Sequence, residues 1–214
     1  MYRRLLVVFL LTMSSEAAEK PFVRLHWKGS EIHIVYKGKT MTYNLYPREL
    51  WNRERPYRDG FPSLIGRVTT DYLREKNGVV YLLAAIEGNS RGPEAASSYC
   101  GAGSEYAKVL FTFDHEGEVK EPIVILYDSC LFTIEPDSTE GVPKSAKRGK
   151  LITQFRFFPW PKGNVNGKSE LELQTTVHAW FDPAHPENGI QTDEECARQS
   201  ASGEFDQRVP CPPN

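Results

Sequence analysis

Residues 90–130, SRGPEAASSYCGAGSEYAKVLFTFDHEGEVKEPIVILYDSC, leave the chain few folds to choose from. The stretch opens in small and glycyl residues. It continues as two β-branched and aromatic runs, Ala107 to Phe113 and Pro122 to Tyr127, separated by the polar turn Asp114-His115-Glu116-Gly117. Such runs around such a turn form an antiparallel hairpin. Cysteines at 100 and 130 bracket it, so a disulfide can tie the preceding loop to the far end of the hairpin.

The rest of the chain repeats the pattern. Phe22 to Trp27, Glu31 to Tyr36 and Thr40 to Leu45 alternate apolar and polar residues, with Lys28-Gly29-Ser30 and Lys37-Gly38-Lys39 between them, which predicts an antiparallel meander. Asn77-Gly78 is a strong hairpin signal. Leu64 to Arg74 is compatible with a strand or with a helix from about Thr70, and the turn favours the strand. Val79 to Ile86 is almost continuously apolar, as in a strand buried on both faces. Residues 88–103 read as loop. Leu151 to Phe158 and Glu170 to Phe181 alternate again, the second with Thr175, Val177 and Ala179 on one side and His178 and Trp180 on the other. Short helices are expected at Arg48 to Glu54 and, capped by Thr192 or Asp193, through Arg198. The predicted fold is mainly β, an antiparallel sandwich or strongly curved sheet of about nine to eleven strands with one or two short helices and two disulfides.

Arg3 and Arg4 precede the apolar run Leu5 to Leu11, and small residues follow at Ser15 and Ala17. That order predicts a secretory signal peptide over residues 1–17, a β-rich domain over 18–190 and a disulfide-pinned C-terminal tail over 191–214. The apolar run is shorter than the roughly 20 residues of a spanning helix, so no stable membrane anchor is expected after cleavage. The protein is thus expected to be exported, to the periplasm or outside the cell. The even cysteine count, Cys100, Cys130, Cys196 and Cys211, then implies two disulfides. Local loop closure favours Cys100–Cys130 and Cys196–Cys211 among the three possible pairings. No C-x-x-C pair occurs and no histidine is near Cys100 or Cys130, so neither a zinc site nor any other cofactor is expected. The net charge of −2 lacks the concentrated positive charge that nucleic acid requires of a partner.

Two loops carry the candidate contacts. The first, residues 46–62, holds Trp51, Arg55, Tyr57 and Arg58, side chains that protein interfaces favour for their area and planar donors. The second holds Arg91, Glu94 and Glu105 among glycines that let backbone N–H groups face a ligand. It is neither a P-loop nor a nucleophile elbow. Together with Arg91-Gly92-Pro93-Glu94, the segment Tyr99-Cys100-Gly101-Ala102-Gly103-Ser104-Glu105 resembles small exported bacterial proteins with a YCGAGSE-type segment. The resemblance covers this region alone and implies a location rather than a chemistry. His115, His178 and His185, with Ser98, Ser104 and Ser129, could supply a nucleophile and base, but no spacing selects a set, and His178 and Glu172 lie about 20 Å apart along one strand. The expectation is a non-enzymatic binding protein whose partner is another protein, an inhibitor or immunity protein against a cell-envelope hydrolase or toxin. The alternatives are a structural component of an envelope assembly and a small secreted hydrolase.

Overall fold

A computed structural model describes residues 23–46, 56–58, 60–62, 64–89, 103–130, 134–136, 150–157, 173–200 and 204–211. They form three antiparallel sheets in which every strand pairs with its neighbour in sequence. The first sheet is the meander β1 (Val23–Lys28), β2 (Glu31–Tyr36) and β3 (Lys39–Asn44). The second contains β4 (Leu64–Lys76), β5 (Val79–Asn89), β6 (Ser104–Asp114) and β7 (Ile123–Asp128). The third contains β8 (Ile134–Pro136), β9 (Lys150–Phe157), β10 (Leu173–Phe181), β11 (Ile190–Gln199) and β12 (Phe205–Val209). Ser129 and Ile134 exchange backbone hydrogen bonds of 2.9 Å, which joins the second sheet to the third.

The turns explain the pairing. Lys37-Gly38 (φ 47° and 80°) and Asn77-Gly78 (φ 53° and 79°) have both central residues in the left-handed region, the type I′ geometry that matches strand twist. These turns fix register, and register fixes which face each side chain takes. Ile32, Ile34 and Tyr36 of β2 and Met41 and Tyr43 of β3 therefore face one face of the second sheet. There they meet Val80, Leu82, Ala84 and Ile86 of β5 and Ala107, Val109, Phe111 and Phe113 of β6. Tyr36 packs edge-on to Phe113 at 5.5 Å and Tyr43 against Phe111 at 4.8 Å. The opposite face is covered too, where Leu83 and Leu110 cluster with Phe181. Burial on both faces is the physical reason for the unbroken apolar run in β5.

Several expectations change. Among the described residues the strands number twelve, and the helical content is two single 3-10 turns, Pro56–Arg58 and Pro186–Asn188. The turn expected after Thr192 is instead strand β11, because its alternate residues face the third sheet's interior and Cys196 is buried. Residues 191–211 thus supply most of β11 and all of β12. The expected loop is shorter at its start, where β5 runs on to Asn89, and β6 begins at Ser104, directly after the loop and earlier than the Ala107 expected. In β10, His178 and Trp180 are buried as well as Val177 and Ala179. The Cys196–Cys211 bridge is present, with a Cα–Cα distance of 5.2 Å. The Cys100–Cys130 pairing and the Arg48 to Glu54 helix involve positions outside the described residues.

Among the described residues, one core hydroxyl lacks a partner. The Tyr43 hydroxyl is buried with no hydrogen bond. Burial alone pushes its ionisation far above the usual tyrosine range. Tyr43→Phe keeps the ring on Phe111 and removes an unmet polar group whose burial costs about 1–3 kcal/mol. The variant is expected to unfold at higher urea concentration than the parent, with an unchanged m-value.

Candidate functional site

The 3-10 turn Pro56–Arg58 is anchored from below and presents a charge above. Tyr57 is fully buried and meets Phe155 of β9 edge-on at 5.3 Å. Its hydroxyl donates to the Glu194 carboxylate on β11. The next residue, Arg58, is exposed, and its Nη2 donates to Thr192 Oγ1. The guanidinium carbon lies 5.6 Å from the Tyr57 ring centroid, within cation–π range. Thr192, Glu194 and Cys196 alternate along β11 and so share a face. The Cys196–Cys211 bridge ties that strand to the segment following β12. Downstream, Phe61 N–H donates to Leu45 O at 2.7 Å, which fixes the exit of the turn to the end of β3. The outcome is an arginine held at two points on a turn whose Tyr57 base is buried.

A second polar cluster forms where three hairpin turns meet. Tyr36 donates to Glu75 Oε2 at 2.6 Å, and His115 Nε2 lies 3.0 Å from Glu75 Oε1. Lys37 Nζ is 3.4 Å from both Glu75 Oε2 and His115 Nδ1. The ammonium can only donate, so Nδ1 accepts and Nε2 carries the proton shared with Glu75. Both ring nitrogens are then engaged within the cluster. The Tyr36 hydroxyl bond holds the Glu75 carboxyl below its ordinary range against the effect of burial, with His115 and Lys37 adding to it. Burial, then the Glu75 bond, pushes the Tyr36 phenol up.

A third set fastens the β10–β11 connection to β4. Lys76 Nζ reaches both Glu187 oxygens at 2.8 and 2.9 Å, and Tyr72 donates to Pro183 O at 3.0 Å. The Lys76 bond is the main cause that brings Glu187 down to about 2. Both carboxylates have folded values below their ordinary 4.5. Their contribution is therefore complete above that value and is lost as pH falls through the folded value, for Glu187 between 4.5 and about 2. Glu187→Gln is expected to lower the melting temperature at pH 7 but to flatten its decline over that acid window. Parallel curves for the two proteins would remove Glu187 from the account.

Of the sequence-derived candidates, Trp51, Arg55, Arg91 and Glu94 lie outside the described residues. Tyr57 and Glu105 are interior: Glu105 faces the core because it shares the parity of Ala107 and Val109 in β6 and sits opposite Gly88. Neither presents a surface, and Tyr57 acts by positioning Arg58. Sequence reading missed Thr192 and Glu194, which it placed in the tail, and the Tyr36–Lys37–Glu75–His115 cluster. Part of the cluster had a signal: in a meander, the turns after β4 and β6 fall at the same end of the sheet. Among the described residues no group of three or more His, Cys, Asp or Glu side chains is placed to hold a metal, and no helix is long and apolar enough to cross a membrane.

Fold and site together define a three-sheet antiparallel β protein with a doubly tethered surface arginine. No family model, curated protein or solved structure matches the chain.

Proposed function

We propose that the protein is an exported binding protein that inhibits or neutralises another protein, a cell-envelope hydrolase or toxin, through the corner built around Arg58. One observation carries this reading: the exposed Arg58 is fixed by Thr192 and by the Tyr57 ring on a turn whose base is buried. Interfaces concentrate their binding energy in a few such side chains, and arginine is among the commonest. A side chain already ordered before binding loses less entropy on docking. Trp51 and Arg55 from the same loop, and Arg91 and Glu94 from the glycine-rich segment, belong to the proposed contact surface. Export rests on the N-terminal pattern and is compatible with the Cys196–Cys211 bridge. The proposal includes a second bridge, Cys100–Cys130, in keeping with the absence of a free cysteine among the described residues. Non-reducing peptide mapping that recovers these two as separate thiols would remove that bridge.

The functional test is capture by the tagged mature chain, from its own envelope and from neighbouring culture supernatants, followed by titration of the captured protein. A single stoichiometric hydrolase or toxin is expected. Arg58→Ala should weaken its binding by roughly 30-fold, the lower bound of a hot spot at about 2 kcal/mol, with an unchanged melting temperature because Tyr57 remains in place. Equal affinity of parent and variant would exclude the Arg58 corner. Several envelope components in place of one partner would favour the structural reading.

A further inference from the structure

The outer face of the first sheet has no part in the Arg58 corner. Alternation in the meander sends Ile32, Ile34 and Met41 to the core. It sends His26 of β1, Glu31 and His33 of β2 and Thr42 of β3 to the opposite face. The register sets His26 directly against His33. Their phase follows from the turn. Gly29 (φ 64°) takes the first central position of the two-residue Gly29-Ser30 turn, the II′ geometry, so the closing pair Lys28 and Glu31 exchanges ladder bonds. Two positions on, His26 and His33 are again a bonded pair, with Cα atoms about 5.5 Å apart and Cβ atoms about 4.5–5.5 Å apart. Imidazoles rising side by side from such a pair can each bring a nitrogen to about 2 Å from one shared ion.

The two rings are prepared differently. His33 Nδ1 shares a hydrogen bond of 3.0 Å with Thr42 Oγ1 on the next strand. With Nδ1–H as the donor, the Nε2 lone pair is left to ligate. A partner on the far nitrogen is how a ligating histidine is held in tautomer and orientation. Nε2 faces Glu31 Oε2 at 3.8 Å, an ion-pair distance that is too long for a hydrogen bond, and a third of the His33 side chain (33%) is exposed. His26 is exposed, and among the described residues no hydrogen bond or ion pair engages it.

The surrounding charge selects the ion. Arg24 and Lys28 lie two residues either side of His26, and Glu31, opposite Lys28, offsets one of them. Hard cations such as Ca²⁺ and Mg²⁺, which are held by several oxygens, are disfavoured there. Imidazole nitrogen instead suits the late first-row divalent ions, among which Cu²⁺ binds most tightly. We propose that His26 and His33 form a surface copper(II) site, two imidazoles from one hairpin with solvent completing the shell. This differs from the closed protein shell of structural zinc, and it accords with the lack of any group of three or more metal-binding side chains among the described residues. Glu31 contributes charge beside the ion. The inference does not rest on the Arg58 reading: the pair is on the first sheet, whereas Arg58 is held on β11 of the third.

The test is calorimetric titration of the untagged mature chain with Cu²⁺ against a weak competing ligand, glycine, together with electron paramagnetic resonance of the complex. One ion per chain with micromolar affinity is expected, with hyperfine splitting from two imidazole nitrogens and a melting temperature that rises with added Cu²⁺. Zn²⁺ should bind more weakly, and Ca²⁺ should give no binding. Thr42→Val, which removes only the partner of His33 Nδ1, should weaken Cu²⁺ binding by about 10-fold, the lower end for an outer-shell partner, with the spectrum retained. His26→Gln and His33→Gln should each weaken it further and lose the two-nitrogen spectrum. Without metal, all three variants should keep the parent's far-UV circular dichroism, since this face lies outside the core. His185→Gln, in the β10–β11 connection, should bind as the parent does. Binding that survives either substitution of the pair would place the ion elsewhere, on the N-terminal amine for example, and overturn the inference. So would a spectrum with a single imidazole nitrogen, or an affinity no better than millimolar.

Discussion

Tyr57→Ala is expected to lower stability by about 3–5 kcal/mol, the range for removing a large aromatic side chain from a core. The ring is fully enclosed and fills the space between the 3-10 turn and Phe155 of the third sheet. Among the described residues, two neighbouring segments are held against collapsing into the gap: Phe61 is tied to Leu45, and β11 is fastened through its disulfide. The loss should appear as an earlier urea midpoint. It should also release Arg58, which rests on the Tyr57 ring, so binding of the captured partner should fall even where the variant is fully folded. Tyr57→Phe separates the two effects. It keeps the packing and the platform under Arg58 but removes the Tyr57 hydroxyl's hydrogen bond to the Glu194 carboxylate, a cost of about 1–3 kcal/mol. If Tyr57→Ala is no worse than Tyr57→Phe, the ring does not anchor the turn.

This anchor is one of the features that the sequence left open, and the reason is physical. The meander was legible, because period-2 patterning and the Lys37-Gly38 and Asn77-Gly78 turns are local signals. So was the double burial of β5, from its apolar run. Residue 57 was visible only as one of several aromatic and arginine residues in a loop. What makes Tyr57 interior and Arg58 exterior is the arrival of β11 beneath them, carrying Glu194 and Thr192 from more than a hundred residues away. Nothing local encodes that meeting. The same limit applies to β11 itself. Ile190-Gln191-Thr192-Asp193-Glu194-Glu195 is polar and capping-rich, which reads as a helical turn in isolation. It forms a strand because β10 and β12 flank it and supply its hydrogen bonds. Glu105 was misplaced for a related reason: glycine-rich context suggests a loop, whereas pairing with β5 extends the strand through it.

Gly88→Ala is expected to be strongly damaging, at or beyond the upper end of the roughly 1–3 kcal/mol typical of overpacking. The conformation of Gly88 is ordinary; space is the constraint. An added Cβ would lie 2.4 Å from Leu64 O and 2.8 and 2.9 Å from two carbons of the Phe61 ring. The ring could rotate away, but the carbonyl belongs to the paired strand β4 and cannot move without disturbing the ladder. Shortening Phe61 should therefore rescue Gly88→Ala only in part. The consequence also reaches the site. Phe61 is the residue whose N–H fixes the exit of the Tyr57–Arg58 turn to Leu45, so pushing it outward loosens the arginine from below. Gly66→Ala is the control, because its Cβ would find only Glu87 O, at an ordinary 3.5 Å. It should change stability by no more than about 0.5 kcal/mol, as surface substitutions usually do. Equal urea midpoints for the two variants would show that the Leu64–Gly88–Phe61 approach is looser than its distances imply. A large difference, accompanied by weaker partner binding in Gly88→Ala alone, would tie the packing of the second sheet to the placement of Arg58.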